Sequence, residues 1–178
     1  MDNHPASPRL SPKPRRRVSL LAAAALILAS IAAAPAPAAE LLPPQEAFAL
    51  SARAIDPQTL EVRFDVADGY YLYRDKLKFN AGAPQPVVTT AQLPPGKVKH
   101  DEFFGDMQTY RGQVDIRIPI AAPEAGRQLT LVTESQGCAD AGVCYPPQRQ
   151  ILSLDVPAAG APPSSWVVAP IGRPAWLK

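Results

Sequence analysis

The chain has two cysteines, Cys138 and Cys144, with five residues between them. Gly137, Asp140 and Gly142 lie in or beside that gap, so the backbone can turn there. An alternating apolar run enters from Leu129 and Leu131, and another leaves through Leu152, Leu154 and Val156. The pattern predicts a β-hairpin whose strands each carry a cysteine near the turn. Facing residues on paired strands bring their Cα atoms to about 4.5–5.5 Å, within disulfide range. A Cys138–Cys144 disulfide that opens and closes is therefore expected.

Spacing alone leaves three uses open for the pair: redox exchange, a structural staple, or metal binding. Closing so short a loop gains only about 2–2.5 kcal/mol in the chain-entropy model. A chain that is 47% apolar can build a core without that help. Two cysteines and His100 make a weak metal site, and His100 reads as an incidental polar residue rather than a base.

The rest of the chain points to an all-β domain. Phe48, Leu50 and Ala52 share one face of a first strand, and Asp56-Pro57 makes a turn. Leu60, Val62, Phe64 and Val66 alternate with Glu61, Arg63 and Asp65, as in a half-buried strand. Tyr71 and Tyr73 fall on one face of the next extended segment and Tyr70 on the other. Val114, Ile116, Ile118 and Ile120 repeat the alternation. The 22 prolines cluster outside these runs. About seven short strands with frequent turns predict a β-sandwich.

The ends read differently. Arg15-Arg16-Arg17, an apolar stretch from Val18 to Ala34, and the small residues Ala36-Pro37-Ala38-Ala39 form the pattern of a secretory signal peptide over residues 1–39. Five basic residues (Arg9, Lys13, Arg15, Arg16, Arg17) and one acid (Asp2) lie there, leaving 13 basic and 15 acidic residues beyond it. The overall charge of +2 thus belongs to the leader, and no basic stripe suggests nucleic acid. An exported domain spans residues 40–157, and a Pro/Ala-rich tail, read as flexible, spans 158–178. Export to an oxidising compartment lets a disulfide persist.

The run Gly137-Cys138-Ala139-Asp140-Ala141-Gly142-Val143-Cys144-Tyr145-Pro146-Pro147 closely resembles the active-site hairpin of the periplasmic N-terminal domain of the DsbD thiol:disulfide interchange protein. Asp68-Gly69-Tyr70-Tyr71-Leu72-Tyr73-Arg74 and Asp101-Glu102-Phe103-Phe104-Gly105 resemble the same family, and the similarity runs from about Leu42 to Val156. The resemblance implies an immunoglobulin-like β-sandwich with the cysteine pair on one hairpin. It implies that Cys144 forms the mixed disulfide with a partner and that Cys138 resolves it. It makes 101–105 a cap loop in which Phe103 covers the disulfide, flanked by Asp101, Glu102, Phe104 and Gly105. Tyr71 and Tyr73 then support the cysteines and the cap.

The function implied is a periplasmic redox relay of protein-disulfide reductase type, with no cofactor and no metal. It would take electrons from a thioredoxin-like domain or a membrane donor of DsbD type. It would pass them to a periplasmic disulfide isomerase or a cytochrome c maturation thioredoxin, acting as a monomer. The thioredoxin-like and membrane domains of full-length DsbD have no counterpart in this sequence. Two other classes stand beside this reading: a non-enzymatic immunoglobulin-like binding domain with an inert bridge, and a periplasmic copper-handling protein.

Overall fold

A computed structural model describes residues 40–82, 85, 87–101, 104–121 and 128–170. The leader expected over 1–39 lies outside the described residues, as do Glu102, Phe103 and the last eight residues. After one helical turn, α1 (Pro44–Ala47), the described chain is built from short strands. In order they are β1 (Phe48–Asp56), β2 (Thr59–Val66), β3 (Tyr70–Tyr73), β4 (Lys78–Gly82), β5 (Val87–Val88) and β6 (Lys97–Asp101). Then follow β7 (Gly105–Tyr110), β8 (Gly112–Pro119), β9 (Gln128–Ser135), β10 (Gly137–Ala139), β11 (Gln148–Asp155) and β12 (Val167–Val168). No described helix is long and apolar enough to cross a membrane.

Two four-stranded antiparallel sheets, β12-β1-β2-β8 and β11-β9-β4-β5, form the sandwich. Alternation decides which side chains meet between them. Leu50 and Ala52 of β1, Leu60, Val62 and Phe64 of β2, and Ile116 and Ile118 of β8 are buried. They join Phe79, Leu129, Leu131, Leu152 and Leu154 of the other sheet in one core. Full burial of each such aliphatic or aromatic side chain contributes about 1.5–3 kcal/mol. The clearest alternating runs in the sequence are thus the walls of the sandwich.

A third four-stranded sheet has the order β10-β3-β7-β6. Its β6–β7 hairpin was not expected from the sequence, because Lys97-Val98-Lys99-His100-Asp101 carries four polar residues out of five and shows no apolar alternation. The expected cysteine hairpin takes a more elaborate form. Its strands β9 and β11 pair from Gln128↔Asp155 to Ser135↔Gln148. Between them the chain leaves the sandwich, adds β10 to β3, and returns through a facing pair of Cys138 and Cys144.

Over its described part, residues 158–170, the tail is not the loose segment expected. It runs along the open edge of β1, where unpaired backbone groups need partners. Val167 and Val168 pair with Ala52 and Ser51. Ser164 accepts from the Ala54 amide at 3.0 Å and donates its own amide to the Ala54 carbonyl at 2.9 Å. Trp166 lies under two guanidinium groups, Arg53 at 4.5 Å and Arg63 at 4.6 Å from the ring centre. A low-complexity composition hid three well-placed contacts.

Candidate active site

The site forms on the face of the third sheet that points away from the sandwich core. All four residues of β3 are buried because each face of this strand is covered. Tyr70 and Leu72 join the main core, while Tyr71 and Tyr73 form a second cluster with Cys138, Met107 and Cys144. Strand register brings the components together: Cys138 faces Tyr71, Tyr73 faces Thr109, and Lys99 and Asp101 face Met107 and Gly105.

Cys138 and Cys144 form a disulfide, with Cα atoms 4.0 Å apart. The two sulfur-bearing residues are not equivalent. Cys138 is 0% exposed, whereas Cys144 lies half-buried at the end of an exposed turn. The turn is closed by Gly142 N–H donating to the Ala139 carbonyl at 3.0 Å and Ala139 N–H to Val143 at 2.8 Å. Gly142 has φ of +83°, a conformation that favours glycine. Gly137 serves a different need: a Cβ there would stand 2.7 Å from the Phe48 ring and against the Tyr71 carbonyl.

Behind the bridge, the Tyr73 hydroxyl donates to Asp101 and lies 3.2 Å from Cys138 Sγ and 3.9 Å from Cys144 Sγ. Asp101 is buried at 5% exposure and also accepts from Tyr71 at 3.4 Å and from the Phe104 amide at 3.1 Å. Burial and then the Asp101 hydrogen bond push the Tyr73 phenol well above its ordinary range, so it stays protonated. Phe104 packs edge-on against Tyr73 at 5.3 Å and is half-exposed, with Lys76 Nζ 4.3 Å above its ring. Gly105, at φ +72°, turns the chain from this tip into β7.

Cys138, Cys144, Tyr71, Tyr73, Asp101, Phe104 and Gly105, picked out in the sequence, therefore converge on one place. Glu102 and Phe103 lie outside the described residues. Three participants were missed. Arg111 makes two bonds to Asp140, at 2.8 and 2.6 Å, and a third to the Tyr70 carbonyl at 3.1 Å. It ties the cysteine turn to β3 and holds the Asp140 carboxyl below its ordinary range. Lys99 and Arg111 both stand over the Tyr71 ring, at 4.7 and 5.2 Å. Met107 completes the apolar lining. Once 101–105 is taken as a hairpin tip, period two puts Lys99 on the face of Asp101; Arg111 gives no local signal. His100 pairs with Asp106 at the surface, 2.8 Å away.

The site is thus a disulfide joining a buried cysteine to a half-buried one on a β-sandwich. The family model described as thiol:disulfide interchange protein DsbD, N-terminal, matches residues 38–156. The chain belongs to this family. It is 42% identical over 154 residues to the DsbD thiol:disulfide interchange protein of Ralstonia nicotianae, covering 85% of this chain and 25% of that protein. It is 44% identical over 114 residues to DsbD 1 of Pseudomonas aeruginosa, covering 64% and 19%. The chain thus spans a quarter or less of the length of these curated relatives. Among solved structures, the reduced DsbD N-terminal domain of Neisseria meningitidis matches with a TM-score of 0.60 and 31% identity, over 73% of this chain and 96% of that one. The DsbD N-terminal domain in complex with the PilB N-terminal domain, from the same organism, matches with a TM-score of 0.55 and 34% identity, over 70% and 95%.

Proposed function

We propose that the chain is an exported relay that carries two electrons between thiol proteins through Cys138 and Cys144. The single observation behind this reading is the unequal burial of the two sulfur-bearing residues. Exchange needs a thiolate to reach one sulfur of the bridge in line. Only Cys144 offers a path from solvent. An incoming thiolate bonds to Cys144 Sγ, the S–S bond breaks, and Cys138 Sγ leaves with the electron pair. The donor's second thiol then attacks the mixed disulfide, releasing oxidised donor and a reduced Cys144. In the outward direction Cys144 attacks the acceptor's disulfide and Cys138 resolves the adduct.

The Cys138 thiolate that leaves is buried and needs a stabilising partner. The Tyr73 hydroxyl, 3.2 Å from Cys138 Sγ, can turn its one proton from Asp101 towards the leaving thiolate and hold it by a hydrogen bond until solvent supplies a proton.

A cap role for Phe103 is carried over from the family motif Asp101-Glu102-Phe103-Phe104-Gly105. Its removal is expected to speed reduction by dithiothreitol while lowering stability by only about 1 kcal/mol, far less than a core phenylalanine. The donor is a thioredoxin-like or membrane protein of DsbD type. The acceptors are periplasmic disulfide isomerases, a cytochrome c maturation thioredoxin, or a domain like that of PilB. The chain works in the periplasm after losing residues 1–39, as a monomer. The test is Cys138→Ala expressed in the periplasm. It should accumulate mixed disulfides through Cys144 that a reductant releases, and Cys144→Ala should accumulate none. Equal trapping by both variants would contradict the assignment.

A further inference from the structure

A cavity of about 250 Å³ opens beside the reachable half of the disulfide. Cys144, Tyr71, Asp140 and Gly142 line it together with Lys99 and Asp101 of β6. A group approaching Cys144 through this cavity meets the charges on its rim. The two carboxylates there are engaged, Asp140 by Arg111 and Asp101 by the tyrosine hydroxyls and the Phe104 amide. Lys99 is half-buried and its ammonium rests over the Tyr71 ring at 4.7 Å. Among the described residues it makes no ion pair. A ring face orients an ammonium without neutralising it, so its donors remain available to an acceptor. Arg111, the other cation over this ring, has its guanidinium committed to Asp140.

We propose that this cavity is a subsite for a carboxylate carried beside the attacking thiol of the partner protein, with Lys99 as the residue that receives it and so selects the partner. The proposal rests on Cys144 being the attacked sulfur. Lys99 takes no part in bond making: the attacking sulfur bonds to Cys144, and Cys138 leaves with the electron pair and takes a proton. What Lys99 does is favour an approaching group that is doubly anionic, a thiolate with a carboxylate next to it. It also offsets the negative field of Asp101, which otherwise repels a thiolate. An acidic residue flanking the cysteine of a partner's active site fits this description.

Small thiols of different charge probe the subsite directly. The oxidised full chain is reduced with mercaptoacetate, 2-mercaptoethanol and cysteamine, and the rates are compared per unit of thiolate. The wild type is expected to favour mercaptoacetate over cysteamine. Lys99→Gln should lower that ratio about 25-fold at low salt, about fivefold from each of the two opposite charges at contact in water. Lys99→Glu should lower it further, and Lys99→Arg should keep it. At 1 M salt, where screening acts within about 3 Å, the difference between variants should shrink. A ratio that Lys99→Gln and Lys99→Glu leave unchanged at low salt overturns the subsite. Adducts mapped to Cys138 instead of Cys144 would overturn the underlying reading of the exchange, and the subsite with it.

Discussion

The Tyr73 hydroxyl lies 3.2 Å from the sulfur of Cys138 while it donates to the buried carboxylate of Asp101. One oxygen thus joins the least accessible sulfur of the bridge to a carboxylate 28 residues from that tyrosine in sequence. Removing it tests the proposed stabilisation of the Cys138 thiolate. Tyr73→Phe leaves the buried Asp101 with one donor fewer, which costs about 1–3 kcal/mol of stability. It also removes the hydroxyl that lies 3.2 Å from Cys138 Sγ. The Cys138 thiol of the reduced protein should then titrate at higher pH, because its thiolate loses a hydrogen-bond donor. Thiolate absorbance against pH reads this shift. An unchanged titration in a folded variant would show that Tyr73 does not stabilise the Cys138 thiolate.

Gly137 is fixed by its neighbours rather than by an unusual backbone angle. In Gly137→Ala the new methyl meets the Phe48 ring and the Tyr71 carbonyl, and the latter is backbone that can yield only by moving β10 off β3. Overpacking of this kind costs about 1–3 kcal/mol. Urea unfolding should register the loss, and the reduction rate should change with it, since β10 carries Cys138. Wild-type stability in this variant would contradict the close packing.

The Arg111–Asp140 pair gives an acid limit to the order of the cysteine turn. Asp140 is held below its ordinary range in the folded protein, chiefly by the Arg111 hydrogen bonds. Its contribution is therefore complete above the unfolded carboxylate value of about 3.9 and fades as pH falls through the lower folded value. Both side chains are nearly half exposed, so screening keeps the effect within about 1 kcal/mol. Asp140→Asn should flatten this part of the stability curve by that amount, measured by urea unfolding between neutral and acid pH. A variant with the wild-type acid profile would show that the pair contributes nothing.

At the alkaline end, Tyr145 is raised to about 12, by burial and then by its neighbour Tyr70. Its hydroxyl donates to the Leu42 carbonyl at 2.6 Å, and its ring packs edge-on against Phe48. A folded phenol that holds its proton longer than an unfolded one stabilises the fold fully below about pH 10. That stabilisation is lost as pH rises from there towards 12. Tyrosinate absorbance should lag behind that of free tyrosine until the domain unfolds. Titration of all five tyrosines near pH 10 in the folded protein would contradict this.

The sandwich was legible in the sequence because its strands are half-buried. Leu60, Val62 and Phe64 alternate with charges, so burial on one side writes itself into the residue order. The faces of Tyr70, Tyr71 and Tyr73 were legible for the same reason. Strand β6 was not, since its outer face is solvated and its inner face carries Lys99 and Asp101, which serve the site rather than a core. The docking of Trp166 and Val167–Val168 was hidden in an Ala/Pro-rich segment, where a few edge contacts decide the outcome. The Arg111–Asp140 tie spans 29 residues and depends on sheet register that no local pattern contains.

The account turns on the unequal reach of the two sulfurs, and alkylation measures that directly. The protein is reduced, exposed briefly to iodoacetamide under native conditions, and mapped by peptide mass. Cys144 should be modified first, and Cys138 only after denaturant is added, because its residue is fully buried beneath Tyr71 and Tyr73. Modification of Cys138 as fast as Cys144 in the folded protein would contradict the assignment of attacked and resolving sulfur.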